Sequence, residues 1–354
     1  MTPRRFSALR NNRALRRIAR PIRRQVRALR PRAGILMYHR VASEAVDPWN
    51  LCVSPEHFDA QMALLARRGA AVDLAAFAND EVLDRTGSRL AVTFDDAYRD
   101  NLEVALPILE RHGIPATFFV VSDALGRSRE FWWDALGRAV LESGTLPTTL
   151  EIVLAGRERR FAIADDSAAA PTSTRWHADW EEPRNGREQL YMDLWHAIVA
   201  LPPVDQDAAV AEVLLWAGMP LAGPERRRPA TREQVAALAG HPLVRIGNHT
   251  RHHPSLPDHD AARQRDEIAG CQQALTELAG SPVDRMSYPF GRHDAASRAI
   301  VAELGIPIAC TSHPAVVTAR QLRHELPRLQ VLDRDADGFA RWLRDDHALL
   351  ARAA

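Results

Sequence analysis

Residues 89–122 read RLAVTFDDAYRDNLEVALPILERHGIPATFFVVS. The apolar run RLAVTFDD (89–96) has strand character and ends in two aspartates. A helical stretch follows from about Asp100 to His112, and Gly113 stops it. IPATFFVVS (114–122) is then a run of the buried-strand type. Strand, helix and strand joined by short links make a βαβ unit, which implies a parallel sheet.

The same rhythm extends in both directions. Upstream, ILMYHR (35–40) reads as a first strand. Residues 55–68 have the helical period, with Ser54 as the expected N-cap and Gly69 as the stop. Downstream the pattern breaks over 126–230, which holds Trp132, Trp133, Trp176, Trp180, Trp195 and Trp216 and the Pro- and Arg-rich stretch 220–229. This reads as an insertion, mostly helical, with a short hairpin near 149–163. The rhythm resumes at Thr231 with helix 231–240, strand LVRIGNH (243–249) and helix 260–279. Strand RMSYPF (285–290), a helix near 294–304, strands IPIACT (306–311) and LPRLQV (326–331) and a last helix, 336–351, complete it. At least seven strands alternating with helices favour a closed or nearly closed parallel barrel, in which chemistry sits at the C-terminal strand ends.

Composition narrows the chemistry. The 354 residues carry 46 basic and 45 acidic side chains, and every basic one is arginine. Without lysine there is no Schiff base and no Walker-type phosphate loop. Twelve of the arginines lie in residues 1–33, which hold no Asp or Glu, so the remaining 34 face all 45 acidic residues. The chain therefore divides into a basic arm, 1–33, and a mildly acidic body, 34–354. In the arm, Leu9, Leu15, Ile18, Ile22, Val26 and Leu29 recur at roughly helical spacing. This suits either a solvated tail or an amphipathic segment in peripheral contact with an anionic membrane. With no aromatic beyond Phe6, base stacking and specific nucleic-acid binding are not expected. Three scattered cysteines form no disulfide framework and fit a reducing compartment. No apolar run approaches the ~20 residues of a membrane span, and the arginines are not followed by a signal-type apolar stretch. The expected location is cytoplasmic, at the membrane's inner face if the arm docks there.

Two polar clusters fall at strand ends. Asp95 and Asp96 close strand 89–96, where an aspartate serves equally as a helix N-cap. His249, His252 and His253 follow strand 243–249 in NHTRHHP, and HxxxH spacing lets two imidazoles converge on one ion. A surface loop is the plainer alternative. Together, one carboxylate and two imidazoles make a three-ligand site with an open position, for which zinc is the default ion. The other aspartate is then free to act as a general base.

TFDDAYRDN, HTRHHP and SYPFG, in that order, resemble the motifs of the polysaccharide deacetylase family, carbohydrate esterase family four. The resemblance covers roughly 34–125 and 231–332. It implies a distorted (β/α)7 barrel with parallel strands, interrupted by the insertion at about 126–230. It further implies Asp95 as catalytic base, and Asp96, His249 and His253 as ligands of a divalent metal, Zn2+ first. The Tyr98 backbone N–H becomes an oxyanion donor, and Tyr288, Pro289, Phe290 and Gly291 a groove wall. His252 matches no role in the family and is expected to be exposed.

Three departures qualify the resemblance. Ala97 stands where the family has glycine, a mild change only if its φ is negative. Ser287 stands where an arginine would steady the base, and Arg328 in LPRL is the candidate substitute. The late general-acid histidine is missing, but MYHRV resembles the branch with an early histidine. His39 is thus the expected acid, with His313 and His324 behind it. The implied activity is hydrolysis of N-acetyl groups on an amino-sugar glycan. The alternatives are O-deacetylation, a lipid- or nucleotide-linked sugar, and a barrel that binds glycan without cutting it. Aromatic residues of the insertion could form a sugar-stacking wall, but packing as the insertion's own core is expected.

Overall fold

The computed structural model describes residues 32–78, 87–171, 176–318 and 321–350. Residues 1–31, most of the basic arm, lie outside them. Among the described residues the strands in chain order are β1 (Arg32–Tyr38), β2 (Arg40–Val41), β3 (Cys52–Val53), β4 (Ser88–Phe94), β5 (Ala116–Val120), β6 (Thr149–Leu154), β7 (Arg157–Ala162), β8 (Val244–Asn248), β9 (Arg285–Ser287), β10 (Ile308–Pro314) and β11 (Leu326–Gln330). Seven of them, β1, β4, β5, β8, β9, β10 and β11, pair in parallel in that order, and β11 returns to β1 to close a barrel. Arg32 and Ala33, assigned to the arm by composition, open the barrel's first strand.

Helices cover most crossovers: α1 (Pro55–Arg67), α2 (Leu106–His112), α6 (Arg232–Ala239), α7 (Ala261–Ala279) and α8 (Ala295–Glu303), with α9 (Ala336–Arg341) at the end of the chain. The α6 start has the capping box its sequence suggests, Thr231 with Gln234. The predicted helix 336–351 is shorter, since α9 runs into a π-turn at Trp342–Asp346.

Strand alternation sorts the barrel's side chains. Leu36, Leu90, Val92, Phe94, Phe118, Val244 and Leu329 belong to a core that includes the α1 residues Phe58, Met62 and Leu65. The intervening residues Ala33, Ile35, Ala91, Phe119, Ile308, Cys310 and Leu326 form a separate cluster that fills the barrel interior. Small residues are needed there. A Cβ on Gly247 would sit 2.4 Å from the Phe119 ring.

The insertion forms a cap with its own core. It comprises α3 (Trp132–Gly137) continuing into a π-turn, the antiparallel hairpin β6–β7, α4 (Gly186–Ile198) and α5 (Pro203–Trp216). Its cluster joins Trp132, Trp133, Trp176, Leu190, Leu194 and Val213 to Tyr98 and Val121 of the barrel, with Trp49 and Phe290 packed against it. Most of the tryptophans are thus core, but Trp133 and Trp195 also reach the barrel mouth.

Candidate active site

The alternation that fills the interior also aims residues into the mouth. Continuing the inward sets past the strand ends gives Met37 on β1 and His39 just after it, Asp95 after β4, His249 after β8, Ser287 on β9, Ser312 on β10, and Arg328 and Gln330 on β11. All of these except Ser287 line one cleft of about 330 Å³ at the C-terminal ends of the strands. Asp96 has the opposite parity. It enters the same mouth because the chain turns: φ is 73° at Asp96 and 58° at Ala97.

That left-handed pair costs free energy, because Cβ crowds the following carbonyl. The glycine-to-alanine change is therefore not the mild one that a negative φ would have made it. Ala97→Gly should raise stability by about 0.5–1 kcal/mol. A denaturation midpoint that stays put or falls would refute the strain.

Asp96, His249 and His253 are buried, and each offers an atom within 4.8 Å of the others. Asp96 Oδ1 lies 3.5 Å from Nε2 of both histidines. His249 donates from Nδ1 to the Ser287 carbonyl at 2.7 Å, so its Nε2 lone pair faces inward. Burial holds the His253 pKa down at about 3, leaving that ring in the neutral, ligating form. Asp96 Oδ1 is buried and has no hydrogen-bond partner. Electron pairs converging without protons between them fit a divalent cation, and an Asp–His–His set leaves positions open.

The histidine loop is held from behind. Thr250 donates from its N–H to Asn248 Oδ1 at 2.8 Å, and His253 from its N–H to Thr250 Oγ1 at 3.0 Å. His252 is not the exposed residue expected. The fully buried Glu267 of α7 accepts both its backbone N–H and its ring Nδ1, each at 2.9 Å. The residue turns away from the ion site because its neighbours turn toward it.

Asp95 lies beside the trio but bonds elsewhere. Arg328 donates to Asp95 Oδ1 at 2.7 Å and Oδ2 at 2.6 Å, the bidentate geometry of the strongest carboxylate pairs. The guanidinium also donates to the Thr311 carbonyl (2.9 Å), Ser287 Oγ (2.7 Å) and Thr93 Oγ1 (3.2 Å). Burial works to raise the Asp95 pKa, but Arg328, with the nearby histidines, outweighs it and keeps the group ionised. Ser287 thus touches three site residues: Arg328, Asp95 and His249. The sequence marked it only as a departure.

His39 lines the cleft, and burial lowers its pKa despite Asp95 and Asp96 nearby. His313 is exposed, and the His324 ring bonds the Ile306 carbonyl. Neither lines the cleft. Of the expected groove wall, Phe290 and Gly291 do line it. Phe290 packs 4.5 Å from the His253 ring. Gly291 has φ 66°, and a Cβ there would meet the Ser312 backbone nitrogen at 2.4 Å. Tyr288 does not line it. It follows Ser287 with opposite parity and is buried with Met286, Ile300 and Ile306. Pro289 is buried beside it, and strand β9 stops at Ser287, short of the expected 290. Tyr98 is buried. It donates to Asp134 Oδ2 at 2.6 Å and accepts the Trp133 indole N–H at 2.9 Å. No motif or spacing marked Trp49 or Asp179, which also line the cleft.

The family model for polysaccharide deacetylase matches residues 83–145 and 219–309. The match contains Asp95, Asp96, His249 and His253, and leaves out His39, Arg328 and 146–218. Its edges reach further into the insertion than the motif resemblance did. YxkH of Bacillus subtilis (strain 168), itself described as a candidate polysaccharide deacetylase, is 33% identical over 95 residues, 26% of this chain. The match spans about a third (33%) of that relative's length. The Streptococcus pyogenes deacetylase PplD, solved in complex with acetate, superposes with TM-score 0.53 at 16% identity, over 88% of this chain and 97% of the other. A polysaccharide deacetylase from Bacillus cereus gives 0.50 at 16% identity, over 88% of this chain and 68% of its own. These structures share the fold.

Proposed function

We propose, on the premise that this chain carries a polysaccharide deacetylase domain, that it is a metal-dependent hydrolase removing N-acetyl groups from amino sugars of a glycan. The observation that supports this reading best is the division between two adjacent carboxylates. Asp96 faces two imidazoles, while Asp95 faces an arginine and stays ionised.

A divalent cation held by Asp96, His249 and His253 would supply Lewis acidity toward the acetyl carbonyl and lower the pKa of a nearby water. The chain's own groups supply the rest. Asp95 accepts the proton of the attacking water, and Arg328 fixes the carboxylate's orientation. The Tyr98 N–H donates to the oxygen that gains charge. Flanking bonds, Arg99 N–H to the Arg228 carbonyl (3.0 Å) and Ala230 N–H to the Ala97 carbonyl (2.9 Å), turn the Tyr98 N–H away from segment 228–230. His39, neutral at rest, receives the proton that Asp95 took from the water and passes it to the leaving amine, which returns Asp95 to the carboxylate.

Acetate release from N- and O-acetylated glycans tests the reaction and separates the two ester and amide readings. Chelation should abolish release, and Zn2+ should restore it. His249→Ala should lose most of the bound metal, measured by elemental analysis. Full activity in chelated protein would sink the metal role. The acid is tested by its leaving group. His39→Ala should lower kcat on an N-acetylated sugar by about 10²–10⁴-fold, but far less on 4-nitrophenyl acetate, whose leaving group needs no proton. Equal losses on both would remove His39 from that role.

A further inference from the structure

The cleft extends beyond the reacting groups along an aromatic surface. Phe290 packs on the His253 ring at 4.5 Å and meets Trp195 edge-on at 6.1 Å. Trp195, on α4, lies 4.9 Å from Trp49, which comes from the loop between β2 and β3. Both indoles are partly exposed and line the cleft. Trp49 spends its indole N–H behind the wall, donating to Tyr191 Oη at 2.7 Å, so what it offers the cleft is ring surface.

A carboxylate accompanies these rings. Asp179, from the cap, is exposed and lines the same cleft. It makes no hydrogen bond or ion pair among the described residues, and His177 is its titratable neighbour. The other two cleft carboxylates are committed, Asp95 to Arg328 and Asp96 to the imidazoles. Asp179 and Trp195 both fall in 146–218, outside the family match.

We propose that Trp49, Trp195 and Asp179 form a second sugar subsite, which binds a pyranose neighbouring the acetylated one. A pyranose has C–H-rich faces and a rim of hydroxyl donors. Indole surface buries the former, and a carboxylate accepts hydrogen bonds from the latter. The volume of about 330 Å³ lies at the small end for ligand clefts and suits a short glycan segment. The minimal good substrate is then an oligosaccharide, and the cap rather than the barrel sets which one. Only the ligand's identity as an amino-sugar glycan rests on the deacetylase reading.

The test measures binding without turnover. In Asp95→Asn protein, calorimetry compares N-acetylglucosamine with its β-1,4- and β-1,6-linked trimers. Asp179→Ala should weaken binding of at least one trimer about tenfold and the monosaccharide less than about twofold. Asp179 is exposed, so this change spares the fold, and Trp195→Ala should act in the same direction. Equal weakening of monosaccharide and trimer, no weakening, or no trimer binding by the parent would overturn the subsite. Acetate release by the wild type is scored separately. Its absence alongside trimer binding that depends on Asp179 would sink the deacetylase reading and leave the subsite standing.

Discussion

On the proposed function, Asp95→Asn should lower the rate of acetate release by about 10²–10⁴-fold while divalent-metal uptake stays at the wild-type level. The reason is positional. Of the two adjacent carboxylates at the end of β4, Asp95 is the one left over once Asp96 has met the two imidazoles, and it is the one kept ionised by a guanidinium. Asparagine retains an oxygen for Arg328 but cannot take a proton from water. The metal measurement separates this from simple damage to the ion site. Asp96→Asn should instead lose metal and activity together. Asp95→Asn leaves Arg328 buried without its counter-charge, so rates are taken below that variant's lowered melting temperature. Near-wild-type turnover in metal-loaded Asp95→Asn would end Asp95's assignment as the base.

Arg328→Met should destabilise the fold by about 3–5 kcal/mol, the cost typical of leaving one partner of a buried ion pair uncompensated. Arg328 is 1% exposed and Asp95 3%. The pH dependence follows from the direction of the Asp95 shift. In the wild type its folded pKa is depressed, so the stabilisation is present above the unfolded value of about 3.9 and is lost as pH falls through the folded pKa. In the variant, burial without Arg328 raises the folded pKa, so the penalty is largest near neutrality and eases on acidification. The gap between wild type and variant should therefore narrow toward low pH. Asp95→Asn in the Arg328→Met background should recover much of the loss, because the unpaired charge is gone. A gap that does not change with pH, together with simple additivity of the two changes, would show that Arg328 acts by packing alone.

The barrel was legible because its signals are local. Apolar runs ending in polar residues, and helices bounded by Ser54, Gly69, Gly113 and Thr231, recur through the chain, and period-2 alternation carries the inward set into the mouth. The candidate ion-site residues share this legibility, since His249 and His253 lie four apart and Asp96 follows the end of a strand. The wall motif failed at Tyr288 for a local reason as well. One residue past Ser287 is the opposite face, so reading SYPFG as a uniform wall ignored the alternation.

The sequence by itself determined the alternation, the order of the motifs and the residue types of the candidate site, because each follows from neighbours a few residues apart. The tertiary structure alone decided the partnerships. Arg328 meets Asp95 across 233 positions because barrel closure sets β11 beside β1, with β4 on β1's other side. Asp96 turns inward only through two left-handed residues. Trp49 and Trp195 converge only when the cap packs over the mouth. Each depends on which strand or segment lies alongside which. The closed sheet fixes that, whereas periodicity along one strand carries no record of it.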